Sequence, residues 1–596
     1  MPRLPSPLRA RPTHFHVNNS VAGMALLGAA LGLTACNTPQ PPAEAPVLAT
    51  ATHHSAVAPM GKSTHALSVL PAPPPVSAPE AMPAPATIGA QRASVNEHLV
   101  RRAPSASLAM AQADAAQYDK ITDNSIQQVT DQTVSTFSLD VDTGSYANTR
   151  RFLIDNQLPP PDAVRVEELL NYFPADKATT ARLDGAPFAV DYEVTQSPWD
   201  ASKVLLRVNL QAMDIDAQRA PASHLTFLVD VSGSMNEARK LPLVKQSLKM
   251  LAAQLRAQDT VSLVTYAGNT RVVLPPTSGA EKSTIANAID DLNAGGGTAG
   301  GSGLKLAYDM ARKNFIKGDV NRVLLATDGD FNLGVTNIEA LKAIVKRERE
   351  SGITLSALGY GGSNFNDALM EQIADVGNGN FSYIDNVREA EKVLKDEMGA
   401  TLITVAKDVK AQIEFNPARV QEWRQIGYEN RQLKREDFNN DAVDAGDIGA
   451  GKRVTVLYEL RLQGEKNSND PLRYGQVSDQ AKPPSPRPFT EWANELAFLK
   501  LRWKTPEGNQ SQLASLAFTH AATVQPFAQA SNDTRFLTAV AAFGQKLRNH
   551  PAVNQTAWED IANWARGAKG TDANGYRAEF VQLVKDARRI ASHAAG

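Results

Sequence analysis

The sequence has few of the residues that build covalent cross-links or thiolate sites. Cys36 is the only cysteine among 596 residues, so the chain can form neither an internal disulfide nor a cysteine-rich metal site. The formal net charge is only -2, which gives no strong field for nucleic acid or anionic lipid. Hydrophobic residues make up 42% and charged residues 21%, as in ordinary soluble globular proteins. The length indicates about three or four domains.

Several enzyme signatures are also missing. The chain has no Walker motif, no HExxH motif and no GxSxG nucleophile with partners. Asp142-Thr143-Gly144-Ser145 matches the aspartic protease signature, but the sequence has no second copy, so only a homodimer could supply the other carboxylate. The simpler interpretation of this stretch is a strand, a glycine turn and a helix from Tyr146 to Ile154. These absences predict that the protein is not an enzyme.

The apolar run from Val21 to Leu33 is short for a membrane span. It follows a basic start and ends in Leu33-Thr34-Ala35-Cys36. This arrangement resembles a bacterial lipoprotein signal. The resemblance implies that residues 1–35 are a signal peptide, that cleavage occurs before Cys36, and that the thiol of Cys36 is acylated. The alternative is an ordinary signal peptide in which the cysteine is incidental.

A lipid anchor at Cys36 would place the protein in the cell envelope. Asn37 after the cysteine favours the outer membrane if the cell has two membranes, with the protein facing the periplasm or the cell surface. Two or more acyl chains would give stable anchoring in the bilayer. Residues 36–116 are rich in proline and alanine, and such a segment cannot bury enough apolar surface to order itself. The sequence therefore predicts a disordered tether.

One stretch places oxygen-bearing side chains directly after an apolar strand. Leu225 to Val229 is typical of a buried parallel strand, and the sequence DVSGS follows it. A later glycine loop and the end of a second apolar strand add a threonine and an aspartate. The candidate ligands are Asp230, Ser232, Ser234, Thr298 and Asp328. Ligands bind beyond the carboxyl ends of strands in open α/β sheets, and these oxygens suit Mg²⁺, Mn²⁺ or Ca²⁺ better than zinc or copper.

In this order the five residues resemble the metal-ion-dependent adhesion site, or MIDAS, of von Willebrand factor type A (VWA) domains. The resemblance runs from about Ser223 to Gly399. It implies a Rossmann-like α/β domain over residues 223–400, with a mostly parallel sheet and helices on both faces. The alternation of predicted strands and helices favours the same architecture. The alternative is that Ser232, Gly233 and Ser234 only form a turn that caps the next helix.

The MIDAS resemblance also implies a cofactor and a partner. The cofactor would be Mg²⁺, or else Mn²⁺ or Ca²⁺. Such a site usually leaves one coordination position open, and a carboxylate of a partner protein can fill it. The cation would then bridge the two proteins, and their affinity would depend on divalent metal.

Strand-like segments lie on both sides of the predicted α/β domain. Residues 117–222 combine helices and strands, residues 401–510 are β-rich, and residues 511–596 are predicted to be helical. The α/β domain is therefore expected to be inserted in a β-sandwich or flanked by one. Leu158 to Phe173 and Ile426 to Asn430 resemble the flanking modules of a bacterial family of VWA domain-containing lipoproteins.

These observations favour a membrane-anchored binding protein, in adhesion or scaffolding, whose cation engages an acidic group of a partner protein. One alternative is a structural scaffold of the cell envelope in which the metal only stabilises the fold. A metal-assisted hydrolase is the least favoured, because such a mechanism usually needs a base or a phosphate clamp near the metal. No nucleic acid partner is predicted.

Overall fold

A computed structural model describes residues 116–175, 183, 185–216, 219–297, 300–329, 338–362, 365–465, 492–519 and 524–594. All of them belong to the compact unit that runs from Ser105 to Gly596. The predicted signal peptide, Cys36, nearly all of the predicted tether and Thr298 lie outside the described residues. Among the helices that are described, none has the length and apolar character needed to cross a membrane.

The strands are β1 (Gln127–Gln128), β2 (Val134–Ser138), β3 (Phe188–Gln196), β4 (Val204–Ala212), β5 (Ser223–Asp230), β6 (Thr260–Tyr266), β7 (Arg271–Ser278), β8 (Val320–Thr327), β9 (Thr354–Gly359), β10 (Phe381–Tyr383), β11 (Thr404–Phe415), β12 (Val420–Ile426), β13 (Ile448–Gly449), β14 (Arg453–Leu462), β15 (Glu495–Lys504) and β16 (Ser511–Thr519). The α-helices are α1 (Gly144–Ile154), α2 (Val166–Asn171), α3 (Leu241–Gln254), α4 (Lys282–Asp290), α5 (Gly300–Lys313), α6 (Ile338–Glu350), α7 (Asp367–Val376), α8 (Val387–Glu391), α9 (Met398–Leu402), α10 (Asn532–Leu547), α11 (Trp558–Arg566) and α12 (Tyr576–Ala594).

Strands from before and after the central part of the chain form a two-sheet sandwich. One sheet has the order β1-β12-β14-β4-β3, and the other has the order β13-β11-β15-β16 with β2 also paired to β11. Leu206 and Val456 from the first sheet and Phe137 and Ile413 from the second belong to one buried apolar cluster. This packing explains why the segments on both sides of the α/β domain alternate between apolar and polar residues.

The inserted domain, β5 to α9, is built on a sheet of order β10-β9-β8-β5-β6-β7. Every strand pair is parallel except β6 with β7 at the edge. Leu225, Phe227 and Val229 share an apolar cluster with α3, α4 and α8. Leu228 belongs to the cluster on the opposite face, with α5, α6 and α7. Helices therefore cover both faces of a mostly parallel sheet, which confirms the predicted fold class.

The chain enters and leaves the inserted domain beside one turn of the sandwich. The Gly451 N–H donates to the carbonyl of Met213, just after β4, at 2.9 Å. The neighbouring Ala450 N–H donates to the carbonyl of Ile403, just before β11, at 2.8 Å. Because β4 also pairs with β14 along its length, the sandwich is completed only by chain segments from both sides of the insertion.

The carboxyl-terminal helices α10, α11 and α12 pack with α1 and α2. Their shared apolar cluster also contains Leu205, Ile426 and Leu457. These three side chains project from the outer face of a sandwich sheet, away from the sandwich core. Phe173 lies at the centre of this contact, with its ring centroid 5.1 Å from that of Phe536 and 5.5 Å from that of Phe580. The helical segment thus covers the outer face of one sandwich sheet.

Buried arginines join the inserted domain to its surroundings. The guanidinium of Arg150 in α1 lies 2.5 Å from Asp385 and 2.7 Å from Glu389, both in the inserted domain. It also lies 3.1 Å from Glu579 in α12. Arg165 makes a comparable contact with Asp367 of α7 at 2.5 Å. Arg150 therefore connects three parts of the chain that are far apart in sequence.

The structure corrects one predicted boundary and confirms one local interpretation. Residues 511–519 form strand β16 rather than the start of the helical segment, whose first α-helix begins at Asn532. The stretch that matches the protease signature leads into helix α1. The Asp142 carboxylate is buried and accepts the Phe381 N–H at 2.9 Å. A Cβ at Gly144 would lie 2.4 Å from the Phe381 ring, so this glycine allows α1 to approach β10.

Candidate metal centre

The acidic candidates lie at the carboxyl ends of two adjacent parallel strands. Asp230 is the last residue of β5, and Asp328 immediately follows β8, with which β5 pairs directly. Because parallel strands end at the same edge of a sheet, the two carboxylates are placed side by side. Both residues are completely buried. Ser232 and Ser234 lie in the turn after β5, where a short 3-10 helix spans Gly233–Met235.

Hydrogen bonds hold the turn after β5 in a defined shape. The Ser232 N–H donates to Asp230 Oδ1 at 2.8 Å, and the Thr327 hydroxyl donates to Asp230 Oδ2 at 3.2 Å. The hydroxyl oxygens of Ser232 and Ser234 lie 3.0 Å apart. The structure therefore brings together Asp230, Ser232 and Ser234, with Asp328 at the same sheet edge.

The glycine loop that precedes Thr298 packs against this turn. The Gly233 N–H donates to the Gly296 carbonyl at 3.0 Å, and the Gly295 N–H donates to the Val231 carbonyl at 2.8 Å. Gly296 has a φ of +87°, and a Cβ there would lie 3.2 Å from the backbone nitrogen of Gly268. The loop is thus anchored at the site, although Thr298 itself lies outside the described residues.

The two buried carboxylates repel each other. Burial raises the pKa of the Asp230 carboxyl to about 6, and the negative charge of Asp328 adds to the rise, whereas hydrogen bonds from Ser232 oppose it. A cation at this edge would relieve the repulsion. The donor set fits a hard divalent cation, since it consists of carboxylate and hydroxyl oxygens. In the part of the chain that is described, no three acidic, histidine or cysteine side chains converge on a metal position, so the hydroxyls would be needed.

Lys240 is a residue of this site that no sequence motif indicated. It directly precedes α3, and its ammonium lies 3.1 Å from Asp328 Oδ2. Its side chain is only 4% exposed. The one available signal was its position, ten residues after Asp230 at the start of a helix, and that position does not reveal which way a flexible lysine side chain turns.

Family models match three consecutive parts of the chain. The model described as von Willebrand factor type A domain matches residues 224–396. A model described as von Willebrand factor matches residues 112–207, and one described as Uncharacterized protein YfbK, C-terminal, matches residues 400–590. The matched ranges correspond to the inserted domain and to the segments that flank it.

Individual proteins match over different shares of the chain. Uncharacterized protein YfbK of Escherichia coli (strain K12) is 53% identical over 490 residues, which cover 81% of this chain and 83% of that protein. Uncharacterized protein sll0103 of Synechocystis sp. is 33% identical over 186 residues, or 31% of this chain and 43% of that protein. A solved structure described as von Willebrand factor type A from Catenulispora acidiphila is 14% identical, with a TM-score of 0.37, and covers 68% of this chain and 91% of that one.

Proposed function

Because the chain belongs to the YfbK family of VWA domain-containing proteins, we propose that it is a divalent-cation-dependent binding protein of the cell envelope. VWA domains often use a MIDAS for protein interaction. One observation carries the proposal here. The hydroxyls of Ser232 and Ser234, 3.0 Å apart, lie at the carboxyl ends of two adjacent strands, where β5 ends in the buried Asp230 and the buried Asp328 follows β8. This arrangement favours metal binding over a turn that only caps a helix.

The proposed roles follow from the donor chemistry. Ser232, Ser234 and Thr298 would hold the cation, while Asp230 and Asp328 would contact it directly or through water and orient the hydroxyls. The bound cation, Mg²⁺ or else Mn²⁺ or Ca²⁺, supplies a positive centre that a carboxylate of a partner protein can complete. The protein would act in adhesion or scaffolding, and we assign it no catalytic role.

Replacing Asp230 with alanine should weaken Mg²⁺ binding by about 10- to 100-fold, because the variant loses a carboxylate that also orients Ser232. Titration calorimetry of the purified full chain measures the affinity. The matched control is Asp291→Ala, which removes an exposed aspartate of the same domain and should bind Mg²⁺ like the wild-type protein. Equal binding by the Asp230 variant and the wild-type protein would reject the site.

Partner binding separates the proposal from a purely structural metal. Proteins captured from a cell-envelope fraction should be retained in Mg²⁺ and released in EDTA, and the Asp230→Ala variant should capture none of them. If EDTA lowers the melting temperature but leaves capture unchanged, the cation stabilises a scaffold and does not bridge proteins. The buried Arg150 and Arg165 contacts, which fix the inserted domain to its surroundings, make that scaffold the second candidate.

Membrane anchoring rests on the lipoprotein-like segment that ends at Cys36. Cys36→Ser should move the protein from the membrane fraction to the soluble fraction, because the serine hydroxyl cannot take the place of the acylated thiol. Cell fractionation measures the distribution, and mass spectrometry of the mature amino terminus identifies the acyl groups. A wild-type protein that carries no acyl group at Cys36, or a variant that stays in the membrane, would contradict the anchor.

A further inference from the structure

Lys240 places a positive charge inside the proposed cation site. Its ammonium lies 3.1 Å from Asp328 Oδ2 and 3.4 Å from Glu237 Oε1. Asp328 is completely buried, whereas the Glu237 side chain is 71% exposed. Water screens the charge of Glu237, so the buried contact with Asp328 is the stronger of the two. A lysine is rarely this buried unless it is paired with an acid.

The backbone beside Lys240 makes room for its side chain. Gly361 has a φ of +98°, and a Cβ there would lie 2.8 Å from Lys240 Cε and 3.4 Å from Asp328 Cβ. Its carbonyl accepts a hydrogen bond from the buried Tyr383 hydroxyl, which fixes the turn. A Cβ at this position would crowd the lysine side chain, which would then have to shift. The glycine turn therefore leaves space for the buried lysine side chain beside Asp328.

The lysine changes the charge of the site. The carboxylates of Asp230 and Asp328 carry two negative charges, and the ammonium of Lys240 cancels one of them. When a divalent cation is added, the two carboxylates, the ammonium and the cation together carry one net positive charge. Without the lysine the same set would be neutral. A buried net charge is unfavourable unless a counter-charge accompanies it.

We infer that Lys240 makes cation binding depend on an anionic ligand. The lysine weakens the hold of the two aspartates on a divalent cation, and a carboxylate from the partner restores neutrality. Lys240 is thus a specificity-determining residue that favours an acidic ligand over a neutral one. This inference rests on the proposed function, because it concerns the same cation and the same carboxylate.

The test compares Mg²⁺ affinity with and without acetate, which serves as a simple carboxylate probe, at matched ionic strength. In the wild-type full chain, acetate should raise the affinity for Mg²⁺. In Lys240→Met, the affinity without acetate should rise by at least about tenfold, because the positive charge paired with Asp328 is removed. Acetate should then have a smaller effect. Lys240→Arg keeps the charge and should restore the dependence on acetate.

Two controls keep the outcomes separate. Lys249→Met removes a half-exposed lysine of α3, the helix that Lys240 precedes, and should leave both affinities unchanged. Melting curves in EDTA show whether each variant folds, and Mg²⁺ should raise the melting temperature of Lys240→Met by more than that of the wild-type protein. If Lys240→Met does not fold, an absent acetate effect in the wild-type protein would still overturn the inference.

Each remaining outcome has one meaning. If both proteins bind Mg²⁺ with the same affinity and respond equally to acetate, Lys240 only supports the structure and the inference fails, while the proposed cation site stands. If neither the wild-type protein nor any Lys240 variant binds Mg²⁺, the proposed function fails and this inference falls with it.

Discussion

Replacing Arg150 with methionine should lower the free energy of unfolding by about 3–5 kcal/mol, because removing one partner of a buried ion pair leaves the other charge uncompensated. Arg150 lies within 2.7 Å of Asp385 and Glu389, and these side chains are at most 4% exposed. The guanidinium also donates to the Tyr172 hydroxyl at 3.0 Å. Methionine fills a similar volume but satisfies none of these acceptors. Denaturant unfolding followed by circular dichroism measures the change.

The matched control for Arg150 is Arg388, which also contacts Glu579 of helix α12 but lies at the surface. Arg388 lies 3.5 Å from Glu579 Oε1 and is 43% exposed, so Arg388→Met should cost less than about 1 kcal/mol. Similar losses for the two variants would show that burial does not determine the strength of the Arg150 contacts. A loss below about 1 kcal/mol for Arg150→Met would mean that its carboxylates find other partners or take up protons at little cost.

The second large effect is a dependence of stability on pH that originates at Glu167. Burial raises the pKa of this carboxyl from 4.5 to about 7, and the negative charges of Glu429 and Asp140 add to the rise. At a pH between 4.5 and about 7, Glu167 holds a proton in the folded protein and releases it in the unfolded chain. The contribution of Glu167 is therefore fully present below about pH 4.5 and is lost as the pH rises through about 7.

Glu167→Gln should remove this contribution, because glutamine stays neutral over the whole range. The shift corresponds to about 3 kcal/mol of unfolding free energy. Denaturant unfolding of the variant and the wild-type protein should be measured from pH 4.5 to about 7. The two curves of unfolding free energy against pH should diverge by about this amount. The exposed Glu350→Gln serves as the control and should follow the wild-type curve. Parallel curves for Glu167→Gln and the wild-type protein would contradict a raised pKa.

The inserted domain was predictable because its signals are local. The apolar run of β5, the DVSGS turn and the later apolar strand that ends before Asp328 each lie within a few residues. Parallel pairing then requires that the ends of these strands meet. The sandwich was predictable in outline for a similar reason, since strand-like alternation continued on both sides of the insertion.

The contacts between distant residues were not predictable in this way. Arg150 and Asp385 are 235 positions apart, and no local pattern pairs them. Gly361 was interpretable only as part of a turn, because its contact with Lys240 depends on the close approach of α3 to the end of β9. Strand β16 was missed because its side chains are mostly exposed or half-buried, so buried and exposed positions do not alternate regularly along it. Its structure is determined by its pairing with β15.

A pulling force applied at the proposed cation site would reach the rest of the protein by two covalent routes. The chain passes into the inserted domain after Met213 and out of it at Ile403, and both crossings are hydrogen-bonded to the same turn, Ala450-Gly451. A domain on a single linker would swivel under such a force. Here the two connecting segments, both held by the same turn, resist rotation of the inserted domain relative to the sandwich. The sandwich therefore sets the direction in which the proposed site faces. The proposed bond to a partner protein would therefore be loaded in a direction that is fixed relative to the sandwich.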